Sequence, residues 1–158
     1  MTRQQKYPDT STFCFYNANP KNRTGAGDCV FRAISTALDQ SWELTLRELT
    51  EVALKTGYAP NDPQAYIKYL QQKGFGKYSQ PRKDDGTKYT GEEWCKWLSK
   101  NEFRDCRYKG CKAIVAHIGG HHIVCIKPEP GSGASRMFRV YDTWNSTDGC
   151  IGNYWVIR

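Results

Sequence analysis

Three short segments of the chain carry side chains suited to nucleophilic chemistry. Gly27-Asp28-Cys29 places a cysteine where a glycine-rich turn meets an apolar helix. The unpaired amides and the positive end of the dipole at a helix N-terminus lower the pKa of a thiol below its free value of about 8.5. His122 begins one β-branched segment and Asp142 ends another. Because cysteine catalysis needs a thiolate, a base and a group that orients the base, this order predicts a catalytic triad.

Neighbouring residues leave alternatives open. His121 is the rival base, and adjacent strand residues face opposite ways, so only one of the two histidines can reach the thiol. Cys29 taken alone could be an inert thiol, and Asp142 could simply begin a turn. Asp28 is most simply a helix N-cap, although a carboxylate beside the thiol would raise its pKa. We expect His117 to be structural.

Helix signals dominate the first two thirds of the chain. Apolar residues at helical spacing predict a core helix that begins near Cys29. Thr45-Leu46-Arg47-Glu48 and Thr90-Gly91-Glu92-Glu93 have the pattern of capping boxes, and Asp62-Pro63 gives a cap followed by proline at the first helical position. Residues 75–89 are rich in Gly, Lys, Asp and Ser and are expected to form a loop.

The last third of the chain has strand signals. Short apolar runs predict strands at 113–118, 122–126, 137–141 and 154–157. Gly119-Gly120 joins the first two runs as in a hairpin, and residues 128–133 are expected to form a turn or surface loop. Helices followed by an antiparallel sheet indicate the α+β class, and 158 residues fit a single domain, 1–158.

The motifs together resemble the papain-like cysteine peptidases. The segment from Gly27 to Ile34 is similar to the box of ovarian-tumour deubiquitinases, but the aspartate that this family places three residues before its cysteine is Ala26 here. His122 running into Ile123-Val124-Cys125-Ile126, with an acid at Asp142, looks more like double-glycine, bacteriocin-processing peptidases and papain itself. The whole set of motifs is similar to small cysteine-peptidase-like proteins of bacteria and phages.

The resemblance implies a papain-like fold, in which an N-terminal helical half carrying Cys29 packs on a C-terminal antiparallel sheet carrying His122 and Asp142. It implies a thiol hydrolase that cleaves a peptide or isopeptide bond through an acyl-enzyme thioester. Transfer of the acyl group to an amine, or deamidation of glutamine, would use the same residues. No metal or organic cofactor is required.

The resemblance also suggests further site residues. Papain-like enzymes usually supply an oxyanion-binding side chain, often Gln, about six residues before the nucleophile. That position is Arg23 here, so the neighbouring Asn22 is the expected donor, together with the Cys29 amide. Trp144, two residues after the acid, resembles papain's shielding tryptophan, and core packing would explain this residue equally well. The residues expected on the substrate side are Gly27, Asp28, His121 and Trp144.

The charge distribution favours an ordinary solvated surface, but it also allows a second hypothesis on function. The net charge is +7, and residues 68–112 hold 12 Lys or Arg against 6 Asp or Glu. A catalytically weak or inactive form of the fold could therefore act as a basic binding protein for an acidic protein or nucleic acid. Its aromatic contacts would be Tyr69, Tyr78, Tyr89, Trp94 and Trp97. As an enzyme, the protein is expected to act on a peptide or protein, including a ubiquitin-like or host protein, rather than on nucleic acid.

Cysteine usage indicates a reducing compartment. Seven cysteines without paired spacing favour free thiols over disulfides, and Cys95, Cys106 and Cys111 lack the spacing of a zinc site. We expect Cys14, Cys95, Cys125 and Cys150 to be buried structural thiols. No apolar run approaches the roughly 20 residues that span a bilayer, and the N-terminus lacks a secretory signal. A cytoplasmic protein without membrane contact is the expectation, although a processed precursor would look the same.

Overall fold

The computed structural model describes residues 1–130 and 135–158. The helices are α1 (Arg3–Lys6), α2 (Cys29–Leu38), α3 (Trp42–Thr56), α4 (Pro63–Gln72) and α5 (Gly91–Asn101), followed by a 3-10 turn (Glu102–Arg104). The strands are β1 (Phe13–Phe15), β2 (Lys77–Tyr78), β3 (Ala113–Ile118), β4 (His122–Pro130), β5 (Arg136–Asp142) and β6 (Ile151–Ile157). The predicted α+β class is confirmed. Within the described residues, no helix combines the length and apolar character needed to cross a membrane.

All six strands form one sheet in the order β1-β5-β4-β3-β6-β2. The sheet is mixed, so the expectation of an antiparallel sheet is wrong at one edge, where β1 pairs parallel with β5. Phe13-Cys14-Phe15 is too short to show a period, and a parallel pair needs a long crossover that no local pattern announces. This pairing matters for the site because Phe15 pairs with Asp142, the last residue of β5.

Helices cover both faces of the sheet. One core contains α2, α3 and α4 with alternate strand residues such as Val115 and Cys125. The other contains α5 with the intervening residues, such as Ile114 and Val124. Because both faces are buried, the central strands are almost continuously apolar instead of alternating with polar residues.

The helix starts follow local capping, with one exception. The capping box at Thr90 and Glu93 is confirmed, and Asp62 accepts the Gln64 N–H at 2.8 Å as a cap before Pro63. The predicted start at Thr45 is wrong: α3 begins at Trp42, where the Ser41 hydroxyl accepts the Leu44 N–H at 3.0 Å.

Two predicted loops contain strand. Residues 75–89 include β2, which pairs with β6. The predicted turn at 128–133 is wrong at its start, since β4 continues to Pro130, and residues 131–133 lie outside the described part of the chain. Pro128 and Pro130 fit there because β3 pairs with β4 only as far as Ile126, so no strand on that side requires their missing N–H groups.

The hairpin between β3 and β4 is confirmed. Gly119 and Gly120 both have positive φ, 61° and 93°, which glycine adopts without steric penalty. The turn closes in three residues and makes His122 the first residue of β4.

Candidate active site

The fold brings Cys29, His122 and Asp142 together at one end of the neighbouring strands β4 and β5. Cys29 is the first residue of α2, which packs on β4. The antiparallel register of β4 and β5 pairs Cys125 with Tyr141, so the start of β4 lies beside the end of β5. The three predicted triad residues, which come from distant parts of the chain, are therefore neighbours.

His122 is linked to both partners. Its Nε2 donates to Asp142 Oδ2 at 2.5 Å, and the Asp142 side chain is only 2% exposed. That bond leaves Nδ1 for the Cys29 thiol, with which the imidazole also interacts. The Trp144 ring lies with its centre 5.0 Å from that of His122 and covers the imidazole.

The electrostatics favour a thiolate and imidazolium pair. Burial opposes ionisation of Cys29, but hydrogen bonding with His122 and its charge, the Ile123 backbone and the charge of Arg32 hold the pKa of the thiol below its ordinary value. Burial would lower the pKa of His122, yet Asp142 and Cys29 raise it to about 9. Each member of the pair thus stabilises the charged form of the other.

Arg32, to which the sequence motifs assign no role, lies at the centre of the site. Its Nε donates to Asp28 Oδ1 at 2.9 Å and its Nη1 to Asp142 Oδ1 at 2.5 Å. Arg32 follows Asp28 by four residues, and that spacing of opposite charges on a helix is a signal that could have identified the first contact. The second contact spans 110 residues and has no local signal.

Asp28 occupies the N-cap position, but the expectation that its side chain caps α2 is wrong. The carboxylate instead accepts hydrogen bonds from Asn19 Nδ2 at 2.9 Å, Trp42 Nε1 at 3.0 Å and Arg32. Burial would raise the pKa of Asp28, but these three donors hold it below the usual range. Asp28 therefore ties the loop before α2 and the start of α3 to α2, the helix that carries Cys29.

The remaining predicted site residues lie on the surface. His121 is exposed in the hairpin turn, whereas His122 carries the contacts of the base. Gly27 is exposed with a φ of 66°, in the turn that leads into Asp28. Asn22 is exposed, and its Oδ1 accepts from Asn17 Nδ2 at 3.3 Å. Among the described residues, no hydrogen bond joins Asn22 to the three triad side chains.

Asn22 nevertheless borders a cavity of about 400 Å³, which Arg3 and Thr24 also line. Arg3 Nε donates to the carbonyl oxygen of Thr143 at 2.7 Å, so one wall of this cavity is held to the residue that follows Asp142. Asn22 thus shares a cavity with Arg3, which bonds the residue after Asp142.

His117 is engaged in a separate contact, as expected for a structural histidine. Its Nε2 lies 2.6 Å from the hydroxyl of Tyr66, which is buried in the first core. Burial, followed by the charge of Lys77, lowers the pKa of His117, so the ring is neutral near pH 7.

The cysteines are all free thiols. Cys95 and Cys125 are buried as predicted, but Cys14 is only partly buried and Cys150 is exposed, which corrects the expectation for those two. Within residues 1–130 and 135–158, no cluster of three or more His, Cys, Asp or Glu side chains is arranged to hold a metal ion.

Comparison of the chain with protein-family models, with curated proteins and with solved structures found no match. The geometry and chemistry of the site formed by Cys29, His122 and Asp142 are therefore the evidence that bears on function.

Proposed function

We propose that the protein is a papain-like thiol hydrolase that cleaves a peptide or isopeptide bond through Cys29, His122 and Asp142. The contacts of His122 are the observation that supports this most directly, since it bonds Asp142 at 2.5 Å and also interacts with a thiol whose pKa is lowered. A structural cysteine gains nothing from a base oriented by a buried carboxylate, whereas a nucleophile needs both. Seven free thiols suit a reducing cytoplasm.

The proposed reaction begins with attack of the Cys29 thiolate on the scissile carbonyl carbon. As the first residue of α2, Cys29 has a backbone N–H without a partner in the helix, and that N–H donates to the developing oxyanion. Asn22 Nδ2 is the proposed second donor. The leaving amine takes the proton of the His122 imidazolium and departs, which leaves a thioester on Cys29.

Hydrolysis of the thioester completes the cycle. Neutral His122 removes a proton from water as the water attacks the thioester carbonyl, and the carboxylic acid product leaves with restoration of the thiolate and imidazolium. Asp142 accepts the Nε2–H bond throughout, which fixes the ring orientation and the tautomer. Trp144 covers one face of the imidazole and limits access of bulk water to the ion pair.

Iodoacetamide labelling of the folded protein, read by peptide mass, tests the nucleophile. At pH 6 we expect Cys29 to react many-fold faster than the exposed Cys106 and Cys150, which serve as internal controls. His122→Ala should abolish this advantage. Equal labelling of Cys29 and Cys150 in the wild-type protein would overturn the proposal.

The reaction type can be read by mass spectrometry from a peptide library with an added primary amine, with Cys29→Ala as the matched control. New termini indicate hydrolysis, peptides joined to the amine indicate acyl transfer, and conversion of glutamine to glutamate indicates deamidation. A library that the wild-type protein and Cys29→Ala leave equally unchanged contradicts peptide hydrolysis.

The alternative, a basic binding protein, has weaker support. Tyr69 and Trp94 are buried and cannot stack on a ligand, although Tyr78 is 38% exposed and carries the Arg107 guanidinium 5.0 Å from its ring centre. Salt-sensitive binding of a polyanion that survives Cys29→Ala, with no preferential labelling of Cys29, would favour this function.

A further inference from the structure

The guanidinium of Arg32 lies between two carboxylates at the base of the site. Arg32 follows Cys29 by three residues on α2, so the two side chains share a helix face. Its Nε donates to Asp28 and its Nη1 to Asp142. One planar group thus joins the acid before the nucleophile to the acid that orients the base.

Burial makes this contact different from a surface ion pair. The side chains of Arg32, Asp28 and Asp142 are 12%, 5% and 2% exposed, so water cannot replace either partner of the guanidinium. Buried charges persist only when they are paired and hydrogen-bonded, and here the arginine has a carboxylate on each side.

The two carboxylate oxygens of Asp142 accept hydrogen bonds from different partners. Oδ1 accepts from Arg32 at 2.5 Å and from the Thr143 N–H at 2.7 Å, while Oδ2 accepts from His122. The plane of the carboxylate is therefore fixed from the side opposite the histidine. A change in the direction of the Arg32 fork would rotate Asp142 and, with it, the imidazole.

Asp28 in turn fixes the guanidinium. It does not cap α2, and its other acceptor positions are filled by Asn19 and Trp42 from two further segments of the chain. The group that anchors Arg32 is thus itself held rigidly, as the support of a catalytic constellation must be.

We propose that Arg32 is a positioning residue, which holds Asp142 and through it His122 in the reactive geometry and supplies a fixed positive charge beside the Cys29 thiolate. This inference rests on the proposed function of Cys29 as a nucleophile. The side-chain hydrogen bonds of Arg32 go to Asp28 and Asp142, so its proposed role is to position these groups and not to react.

The test compares Arg32→Gln, which removes the charge, with Arg32→Lys, which keeps the charge but loses the planar fork. Arg47→Gln is the matched control, since Arg47 is an exposed arginine on the neighbouring helix α3. In Arg32→Gln we expect the lower limb of the pH profile of Cys29 labelling to move up by about one pH unit, which lowers the rate on that limb about tenfold. Arg32→Lys should recover most of this shift, and Arg47→Gln should match the wild type.

Proton NMR of His122 tests whether the planar guanidinium of Arg32, and not only its charge, is needed to hold the imidazole. We expect the Nε2–H resonance to be protected from solvent exchange in the wild-type protein and broadened by exchange in Arg32→Lys. A merely structural role would change the unfolding temperature without moving the labelling limb. Labelling of the buried Cys95 and Cys125 would show that Arg32→Gln does not fold. In that case Arg32→Lys is the deciding variant, and a His122 Nε2–H resonance as protected as in the wild type overturns the positioning role.

The two proposals fail in different ways. If folded Arg32→Gln keeps the wild-type pH profile of Cys29 labelling, the role of Arg32 is overturned while Cys29 remains a reactive nucleophile. Labelling of wild-type Cys29 no faster than that of Cys150 overturns both.

Discussion

Asp142→Asn should disable the site even though an amide oxygen can accept a hydrogen bond from a histidine as a carboxylate does. Asn keeps the shape of Asp but has one acceptor and one donor where the carboxylate has two acceptors. In this protein the two oxygens of residue 142 face different partners, Arg32 and the Thr143 N–H on one side and His122 on the other. The orientation of the amide therefore decides the outcome.

The structure predicts which orientation the amide takes in Asp142→Asn. An amide oxygen facing Arg32 and Thr143 keeps two hydrogen bonds, one of them charge-assisted, whereas the flipped amide keeps only the bond to His122 and opposes two donors. Hydrogen bonds to charged groups contribute about 1.5–3 kcal/mol, so a net preference of about 2 kcal/mol is reasonable. That free energy corresponds to roughly a thirtyfold excess of the first orientation.

The favoured orientation gives His122 the wrong tautomer. The amide NH₂ of residue 142 would face Nε2, which then accepts, so the ring proton moves to Nδ1 and the imidazole is neutral. Loss of the Asp142 charge also lowers the pKa of His122 from about 9, and the Cys29 thiolate loses its counterion. We expect iodoacetamide labelling of Cys29 at pH 6 to fall by at least roughly thirtyfold, in proportion to the minor orientation.

Labelling over a range of pH, with Cys150 as the internal reference and thermal unfolding to confirm folding, measures this effect. Asp148→Asn is the matched control, because Asp148 is an exposed carboxylate of the segment between β5 and β6. The double variant Arg32→Gln with Asp142→Asn removes the charged donor that captures the amide oxygen, so its loss of labelling should be smaller than the product of the two single-variant losses. Wild-type labelling by Asp142→Asn would refute the dependence of His122 on Asp142.

Three further perturbations test other contacts. Cys29→Ser removes the thiolate that helps to raise the pKa of His122, so the NMR titration midpoint of this ring should fall below about 9, and an unchanged midpoint would show that the two side chains are not coupled. Trp144→Ala exposes the imidazolium to solvent and should slow Cys29 labelling at pH 6 several-fold, with Trp97→Ala as the control distant from the site. Tyr66→Phe leaves the Nε2 of His117 without its partner and should lower the free energy of unfolding in urea by about 1–3 kcal/mol, while Cys29 labelling is unchanged; slower labelling would give this pair a part in the reaction.

Local sequence patterns predict the parts of this fold that depend on neighbouring residues. The Thr90–Glu93 capping box and the Gly119-Gly120 hairpin are confirmed because each is formed within a few residues, by hydrogen bonds or positive φ angles that those residue types favour. The predicted start of α3 is wrong because Ser41 and Thr45 both suit an N-cap. Thr45 is buried, and its hydroxyl donates back to the Ser41 carbonyl instead of capping.

In the candidate site, too, some features could be predicted from local sequence and others could not. The order Cys29, His122, Asp142 could be found from the residue types and from the strand ends on which they lie. The contact between Arg32 and Asp142 could not be predicted from local patterns. It depends on how α2, β5 and β1 meet in the fold, and β1 has no sequence signal. The prediction of Asn22 rests on its distance from Cys29 along the chain, which does not determine where an exposed loop directs a side chain.

The carboxylate at position 142 and the arginine at position 32 explain each other. A buried guanidinium with only Asp28 as a partner would share a single carboxylate with Asn19 and Trp42, so it needs a second anion. An amide at position 142 would satisfy a histidine but could not neutralise Arg32. Asp142 does both, at the expense of dividing its charge between the imidazole and the guanidinium. The carboxylate of Asp142 therefore depends on α2, which carries both Cys29 and Arg32, as much as on His122, to which it also bonds.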